Sequence, residues 1–349
     1  MGCKSCRSQR VQESATVVRI QNSIKNDDPV SLASLIRLYC HEEKLNLEDS
    51  LNQMILPIEN TLLNFLGYTI WLGSEKCYLY LVHKLKASIT VTEEIFKKQK
   101  VSAISFICEK GFIDILKHYI VSYISSLKKY EDEEEGNDKT YWLSFSTSNQ
   151  YGGNKKIYTP AQLACLMGHV NIVYYLHTYF TENIPPYTLN VHYINEVTGE
   201  NCALIAVKIC NFVMIKMLFE MNYADFHIKN KNGEGALQIL AIASRSNNCI
   251  QYLECFMYLI EVVQVDITYM HEETLLLLNN SIMIRYMEDK LKKSGINIKK
   301  ADLEETCSHD DSKDMDVNYK AYRDIKSSSD VSDILKSSVH TNFAGSIKL

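Results

Sequence analysis

The chain has 349 residues, a formal net charge of −5 and 46% hydrophobic residues. This length and hydrophobic content are sufficient for a substantial core, in one long domain or two ordinary ones. The acidic balance disfavours nucleic acid as a partner. Only 5 prolines and 13 glycines are present, which disfavours a β-sandwich with many turns.

The first residues carry a pattern typical of lipid modification. Gly2 follows the initiator Met and is the acceptor position for a myristoyl chain, and Cys3 and Cys6 lie close enough to take further acyl chains as thioesters. The arrangement resembles the dually acylated N-termini of Src-family kinases, although Cys6 stands where the usual pattern has Ser or Thr. Two acyl chains give stable membrane anchoring, whereas one gives only marginal binding. We therefore expect residues 1–11 to be an acylated, disordered segment; the alternatives are two incidental cysteines, a metal site or a redox-active dithiol.

The rest of the chain is typical of an intracellular protein. Residues 4–12 are mostly polar or basic where a secretory signal needs an apolar stretch, and the later apolar stretches are too short to span a bilayer. The chain has 11 cysteines whose spacing suggests no pairing, and most of them lie among apolar residues. We expect these cysteines to be reduced, buried side chains.

Two polar-faced helices are predicted ahead of the main array. One covers residues 19–25 and the next residues 29–39, with a turn and an N-cap at residues 26–29. Farther along, five successive acidic residues at 131–135 cannot pack against one another. They predict a solvated loop insertion near residues 129–157.

Residues 159–176 show the clearest helical pattern of the chain. They read TPAQLACLMGHVNIVYYL, with apolar residues at helical spacing on both sides of Gly168. Thr159 is suited to cap the first helix, and Pro160 fits its first turn because the missing N–H costs nothing there. Two short antiparallel helices of this kind cannot bury their apolar faces alone, so several copies must stack.

This segment resembles an ankyrin repeat, whose core reads TPLHxA, then GH, then an IVxxL helix; Gln162 replaces the usual His. More degenerate copies start at Thr61, Ser102, Asn201, Gly235 and Thr274. The segment at residues 224–233, ADFHIKNKNG, resembles the finger sequence of the same family. The resemblance implies an all-α ankyrin-repeat solenoid of stacked helix-turn-helix units with short finger loops. About six degenerate repeats would cover residues 12–295, followed by a disordered tail at residues 296–349 that is rich in Ser, Asp and Lys.

No catalytic constellation is recognisable in the sequence. It lacks a Gly-rich phosphate loop, a nucleophile elbow and a His-Glu-x-x-His helix, and the ten histidines do not have metal-ligand spacing. His169 matches a structural position of the ankyrin pattern. We therefore expect no enzyme activity, no cofactor, no metal and no small-molecule substrate.

The resemblance implies a non-catalytic scaffold or adaptor that binds a protein partner on the concave face formed by finger tips and first helices. The candidate contact residues at the finger tips are His192, Tyr193, Ile194, Asn195, Phe226, His227, Lys229 and Lys231. With its lipid anchor, the protein would lie on the cytoplasmic face of a membrane, the plasma membrane in the first instance. The alternative is a soluble cytosolic ankyrin adaptor or inhibitor without lipid. A third class, an enzyme with an appended ankyrin module, is disfavoured because the tail is too short for a catalytic domain.

Overall fold

The structure is a computed structural model, and it divides the chain into two compact units, Met1–Ser148 and Asn149–Leu349. It describes residues 15–53, 56–58, 61–98, 102–128, 147–149, 156–183, 193–245 and 250–296. The predicted acylated segment, most of the acidic insertion and all but the first residue of the predicted tail lie outside these ranges. The predicted boundaries of the repeat domain at residues 12 and 295 stay predictions.

The first unit consists mainly of helices. In chain order its described elements are α1 (Ala15–Lys25), α2 (Pro29–Glu43), α3 (Leu47–Gln53), β1 (Leu56–Ile58), β2 (Thr61–Leu63), α4 (Phe65–Leu72), α5 (Glu75–Leu79), α6 (Ile89–Lys98), α7 (Ala103–Lys110) and α8 (Ile113–Lys128). Helix α5 continues directly into a π-helical turn, Tyr80–Lys84. Strands β1 and β2 form an antiparallel hairpin in which Leu56 lies opposite Leu63.

Helix pairs stack in two layers in the first unit. Helix α4 packs between α1 and α7, and α5 packs between α2 and α8. Asp28 caps α2 by accepting hydrogen bonds from the Val30 and Ser31 amides, which confirms the predicted N-cap. The neighbouring Asp27 reaches the next pair, where its carboxylate accepts the Cys77 amide at 2.9 Å. The first two helices are therefore joined to the stack by polar as well as apolar contacts.

Helix α6 is an insertion between the second and third pairs of this unit. It packs against α4, α7 and α8. Its Glu93 is buried, and the carboxylate accepts the amide of Ala103 at 3.2 Å and the hydroxyl of Tyr119. Glu93 thereby satisfies a free amide at the start of α7, a role that a cap residue within the same repeat normally has.

The second unit contains four consecutive helix pairs in its described part. Its elements are β3 (Thr147–Asn149, at the boundary of the units), β4 (Lys156–Tyr158), α9 (Pro160–Leu166), α10 (Val170–Asn183), α11 (Cys202–Lys208), α12 (Phe212–Glu220), α13 (Ala236–Ser244), α14 (Ile250–Glu261), α15 (His271–Leu277) and α16 (Ser281–Lys293). The first helices pack in the order α9, α11, α13, α15, and the second helices in the order α10, α12, α14, α16. The predicted all-α arrangement of stacked helix-turn-helix units is confirmed.

Most of the predicted repeat starts coincide with helix N-caps. Thr159 forms a capping box with Gln162, and Ser102 and Asn201 each accept an amide three residues on. Two starts were misplaced. Helix α4 is capped by Asn64 rather than at Thr61, and α15 begins at His271 with Met270 as its N-cap.

In the described residues, no helix combines the length and apolarity needed to cross a membrane. Within the same residues, no three His, Cys, Asp or Glu side chains group in a way that could hold a metal ion.

Candidate protein-binding surface

Three loops in the described part of the second unit lead into first helices. We call them the finger loops: residues 193–200 before α11, residues 224–235 before α13, and residues 264–270 before α15. Each contains a turn that is held by a short polar side chain. Such side chains accept hydrogen bonds from backbone amides and so fix turns without a hydrophobic core.

The first finger loop turns around Asn195. This side chain is buried, and its Oδ1 accepts the amides of Val197 at 2.9 Å and Thr198 at 3.1 Å. Its backbone amide donates to the Glu200 carbonyl at 2.9 Å. The result is a closed turn that leaves Ile194 and Val197 half exposed at its tip, at 50% and 53%.

The second finger loop repeats this construction with Asn230. Its Oδ1 accepts the amides of Asn232 and Glu234, both at 2.9 Å. Earlier in the loop, the Asp225 carboxylate accepts the His227 amide at 2.8 Å. Both turns are therefore closed by a side chain that bonds to the backbone two to four residues on.

In the third finger loop Asp266 has the corresponding role. Its carboxylate accepts the amide of Thr268 at 2.9 Å and the hydroxyl of the same residue at 2.6 Å. These bonds stabilise the charged form, so the Thr268 hydroxyl and amide lower the pKa of Asp266 below its usual value.

Neighbouring finger loops are joined to one another. The Lys231 amide of the second finger loop donates to the Thr198 carbonyl of the first at 2.9 Å. The next residue, Gly199, has a positive φ of 72°. The Tyr269 hydroxyl donates to the Gly233 carbonyl at 2.8 Å. The ammonium of Lys229 lies 3.2 Å from the centre of the Tyr269 ring, within cation–π range. The three loops thus form one continuous hydrogen-bonded edge.

A buried side-chain amide at the start of each preceding first helix donates hydrogen bonds to the backbone of the next finger loop. Nε2 of Gln162 donates to the Tyr193 carbonyl at 3.0 Å and the Glu200 carbonyl at 3.2 Å. Nδ2 of Asn201 donates to the Asp225 carbonyl at 2.7 Å, and these three bonds tie α9 and α11 to the loops that follow them.

Gln238 repeats the arrangement in the third repeat of this unit. Its Nε2 donates to the Tyr269 carbonyl at 3.1 Å and the Thr274 hydroxyl at 2.6 Å. The helix pairs, the finger loops and these cross-repeat bonds recur together. The second unit is a stack of ankyrin-like repeats.

The first helices also present a row of exposed side chains, which we call the first-helix row. It consists of Met167, Lys208, Ile242 and Leu276, six to eight residues after the four successive N-caps. The three apolar members are exposed by 39%, 40% and 61%, in chain order. Because the four helices pack in series, these exposed side chains lie on successive repeats of the stack.

An ion pair lies where the row meets the first finger loop. Lys208 Nζ is 2.7 Å from Oε1 of Glu200, a carboxylate with a side-chain exposure of only 6%. The other oxygen of Glu200 is buried and has no hydrogen-bond partner among the described residues. Burial, and then the nearby Glu200 carboxylate, raise the pKa of Tyr158. Lys208 is therefore held in place by a buried counter-charge.

The sequence-predicted contact residues fall into two groups. Ile194, His227, Lys229 and Lys231 are exposed, and Tyr193 is partly exposed. Their partner contacts stay a prediction.

The other group has structural roles. Asn195 is 1% exposed because it closes its turn, and Phe226 is 2% exposed because it packs edge-on against Phe219 of α12 at 6.3 Å between ring centres. Because both side chains are buried, we leave them out of the proposed surface. His192 and the predicted lipidation residues Gly2, Cys3 and Cys6 lie outside the described residues.

Sequence reasoning missed Val197, Tyr269 and the first-helix row. Val197 follows Asn195 by two residues, and an Asn-x-x-x-Gly spacing between the helices is a turn signal that points to exposed intervening residues. Three members of the row have a signal as well: Met167, Lys208 and Ile242 lie seven or eight positions after the predicted starts Thr159, Asn201 and Gly235, whereas Leu276 was hidden by the misplaced start at Thr274. Tyr269 has no such signal, because its contact with Lys229 depends on how the loops stack.

No family model and no curated protein matches the chain. Solved structures do. The ankyrin repeat domain of Bcl-3, a member of the IkappaB protein family, is 12% identical with a TM-score of 0.44, over 77% of this chain and 97% of that chain. A structure of the Bd0816 predatory endopeptidase from Bdellovibrio bacteriovorus in complex with immunity protein Bd3460 gives 14% identity and a TM-score of 0.40, over 68% and 97%. At these scores the fold assignment rests on the helix pairs and cross-repeat bonds described above.

Proposed function

We propose that the second unit binds a protein partner through its finger loops and the first-helix row. The observation that carries this proposal is the set of exposed large apolar side chains on successive repeats whose backbone is fixed by hydrogen bonds and helix packing. Ile194 and Val197 stand at a closed turn, and Ile242 and Leu276 stand on packed helices. A surface fixed before binding loses little conformational entropy when a partner docks.

The proposed role is binding without catalysis. The polar side chains that the finger loops bring together already hold backbone amides, as Asn195, Asn230 and Asp266 do. They are therefore committed to turn structure, and the accessible surface around them is apolar with charges of both signs, such as Glu196, Lys229 and Lys231. Apolar anchors with a charged rim are the composition of a protein-binding surface.

Site-specific photo-crosslinking tests the location of the surface. A benzophenone amino acid is placed at Val197 or Ile242, and as matched controls at Val213 or Ile250, which are 49% and 52% exposed on second helices. We expect one partner to be crosslinked from the first pair of positions and not from the controls. Equal crosslinking from both pairs would place the partner elsewhere.

Affinity for the isolated partner then tests the energetics. The double variant Ile242→Ser and Leu276→Ser removes two apolar anchors, each worth about 1 kcal/mol or more in a desolvated contact. The dissociation constant should rise by about 30-fold or more. The control double variant Val213→Ser and Ile250→Ser should bind like the wild type. The proposal fails if the two double variants weaken binding equally.

We further propose that the repeats are tethered to the cytoplasmic face of a membrane through Gly2, Cys3 and Cys6. The support is the sequence pattern at these residues together with the preference of dually acylated chains for membranes. The intact mass of the N-terminal peptide from cells reports Met removal and each acyl chain directly. Gly2→Ala should release the protein from the membrane fraction. Equal distribution of wild type and variant in the cytosol would instead favour the soluble adaptor or inhibitor.

A further inference from the structure

Two cysteines of neighbouring repeats face each other in the second unit. Cys210 lies in the turn between α11 and α12, and Cys255 lies within α14. Their Sγ atoms are 3.5 Å apart and share a hydrogen bond. Both are buried, but Cys255 has no exposed surface, whereas Cys210 retains 8% of its surface. Cys210 is thus the member of the pair nearer to solvent.

The backbone at Cys210 is unusual for a cysteine. Its φ is 52°, in the left-handed region that side chains other than glycine rarely adopt. The equivalent position, two residues before the second helix, is Gly73, Gly111 and Gly168 in three other repeats, all with positive φ. A cysteine at this turn is therefore less favourable than the glycine used in those three repeats, although Asp27, two residues before α2, also has a positive φ of 49°.

The two thiols differ in acidity. The hydrogen bond between them stabilises a thiolate at Cys210 and lowers its pKa, although burial and the Glu254 carboxylate act in the opposite direction. The same bond and burial raise the pKa of Cys255. Two thiols in hydrogen-bond contact, one of them nearer to solvent, are the two parts of a dithiol that can be oxidised.

We propose that Cys210 and Cys255 are an oxidisable site whose oxidant is a peroxide and whose product is a disulfide between two repeats. The Cys210 thiolate attacks one peroxide oxygen, the O–O bond breaks, and a sulfenic acid forms while hydroxide leaves and takes up a proton. The Cys255 sulfur then attacks the sulfenic sulfur, the S–O bond breaks, and water leaves with the Cys255 proton. In total, two thiols and hydrogen peroxide give one disulfide and two waters.

The product joins the α11–α12 turn covalently to α14. The sulfurs must approach from 3.5 Å to about 2 Å, the length of a disulfide bond. Since α12 packs against α14, this movement takes place inside an existing contact. Oxidation would therefore restrict opening between two neighbouring repeats.

A second thiol pair provides an internal control. Cys165 of α9 and Cys202 of α11 also interact through a hydrogen bond, and burial raises the pKa of Cys165 well above its usual value. Both are fully buried, so a solute has no access to either. Proximity is common to the two pairs, whereas only Cys210 among these four cysteines retains exposed surface.

Peroxide treatment of the full-length protein tests the proposal. Remaining thiols are alkylated after unfolding, and the protein is digested with chymotrypsin, which can cleave at Tyr252 and Leu253 and so separates Cys249 from Cys255. We expect a peptide that links Cys210 to Cys255, lighter by two hydrogen atoms than its parts. Cys165 and Cys202 should be recovered alkylated. A wild-type protein without the linked peptide, or with equal linkage of the buried pair, would overturn the proposal.

Two variants complete the test. Cys210→Gly introduces the residue found at three equivalent turns, so the reduced protein should melt at the same temperature or higher while losing the linked peptide. It should also lose the rise in Tm that peroxide causes in the wild type. Cys255→Ala removes the resolving sulfur, so dimedone should label Cys210 as a sulfenic acid. Labelling of other cysteines in preference to Cys210 would contradict the assignment.

Discussion

Replacement of Gln162 by Leu is the most direct test of how the repeats are joined. The Gln162 side chain is fully buried; Oε1 accepts the Thr159 amide at 3.2 Å, and Nε2 donates to the carbonyls of Tyr193 and Glu200. Leucine has a similar volume but leaves the Thr159 amide and the Tyr193 carbonyl without this partner, whereas the Glu200 carbonyl keeps the Asn195 amide. A buried polar group without a partner costs about 1–3 kcal/mol, and the added apolar burial offsets about 1 kcal/mol. We expect the free energy of unfolding to fall by about 3 kcal/mol.

Urea unfolding followed by far-UV circular dichroism measures this loss, and hydrogen exchange locates it. Protection should fall in residues 193–200 and remain unchanged in residues 264–270, which Gln162 does not contact. The matched control is Gln251→Leu on α14, an exposed position where the effect should stay within about 0.5 kcal/mol. If Gln162→Leu and Gln251→Leu destabilised the protein equally, the cross-repeat bonds would not stabilise the finger loop as described.

Two further perturbations test the finger loops. Gly199→Ala requires a side chain at φ 72° and would place Cβ 2.6 Å from the Lys231 amide nitrogen, so we expect a loss of about 2 kcal/mol or more by thermal melting. Gly295→Ala, with nothing within 4 Å, is the control and should cost about 1 kcal/mol, from its backbone alone. Asp266→Asn tests the lowered pKa: the hydrogen bonds from Thr268 contribute stability that is present above the unfolded-state pKa and lost as pH falls through the folded-state pKa. The free energy of unfolding of the wild type should therefore exceed that of the variant at neutral pH, and this difference should shrink towards pH 3. Urea titrations of both proteins at each pH measure it. A difference that does not change with pH would contradict this.

Local signals were sufficient to predict the regular parts of the array. Between Thr159 and Leu176, the cap, the proline and the glycine turn all act within a few residues, so the sequence reports them directly. The α2 cap at Asp28 was predictable for the same reason.

Where a residue's role depends on another repeat, the sequence was misleading. Thr274 has the appearance of a helix cap, yet it lies inside α15, where it accepts a bond from Gln238 and donates to the Met270 carbonyl at 2.8 Å. Helix α6 has an ordinary amphipathic pattern, and only the contacts of its Glu93 with α7 and α8 show that it caps a neighbouring helix.

The residues of the candidate surface also divide into those that the sequence could predict and those that it could not. The exposure of Lys229 and Lys231 follows from the resemblance of their loop to an ankyrin finger. The burial of Phe226 does not, because an aromatic side chain in a loop packs only if a partner such as Phe219 happens to lie within reach. Cross-repeat packing is a property of two segments, and a single segment carries no record of it.

The buried side-chain amides that join the first helices of the second unit point one way along the chain. Gln162, Asn201 and Gln238 each donate to the repeat that follows, so the donor of one repeat has its acceptors in the next. Truncation after residue 263 would remove both acceptors of the Gln238 amide and expose it to water. Loss of a repeat should therefore weaken the repeat that precedes it.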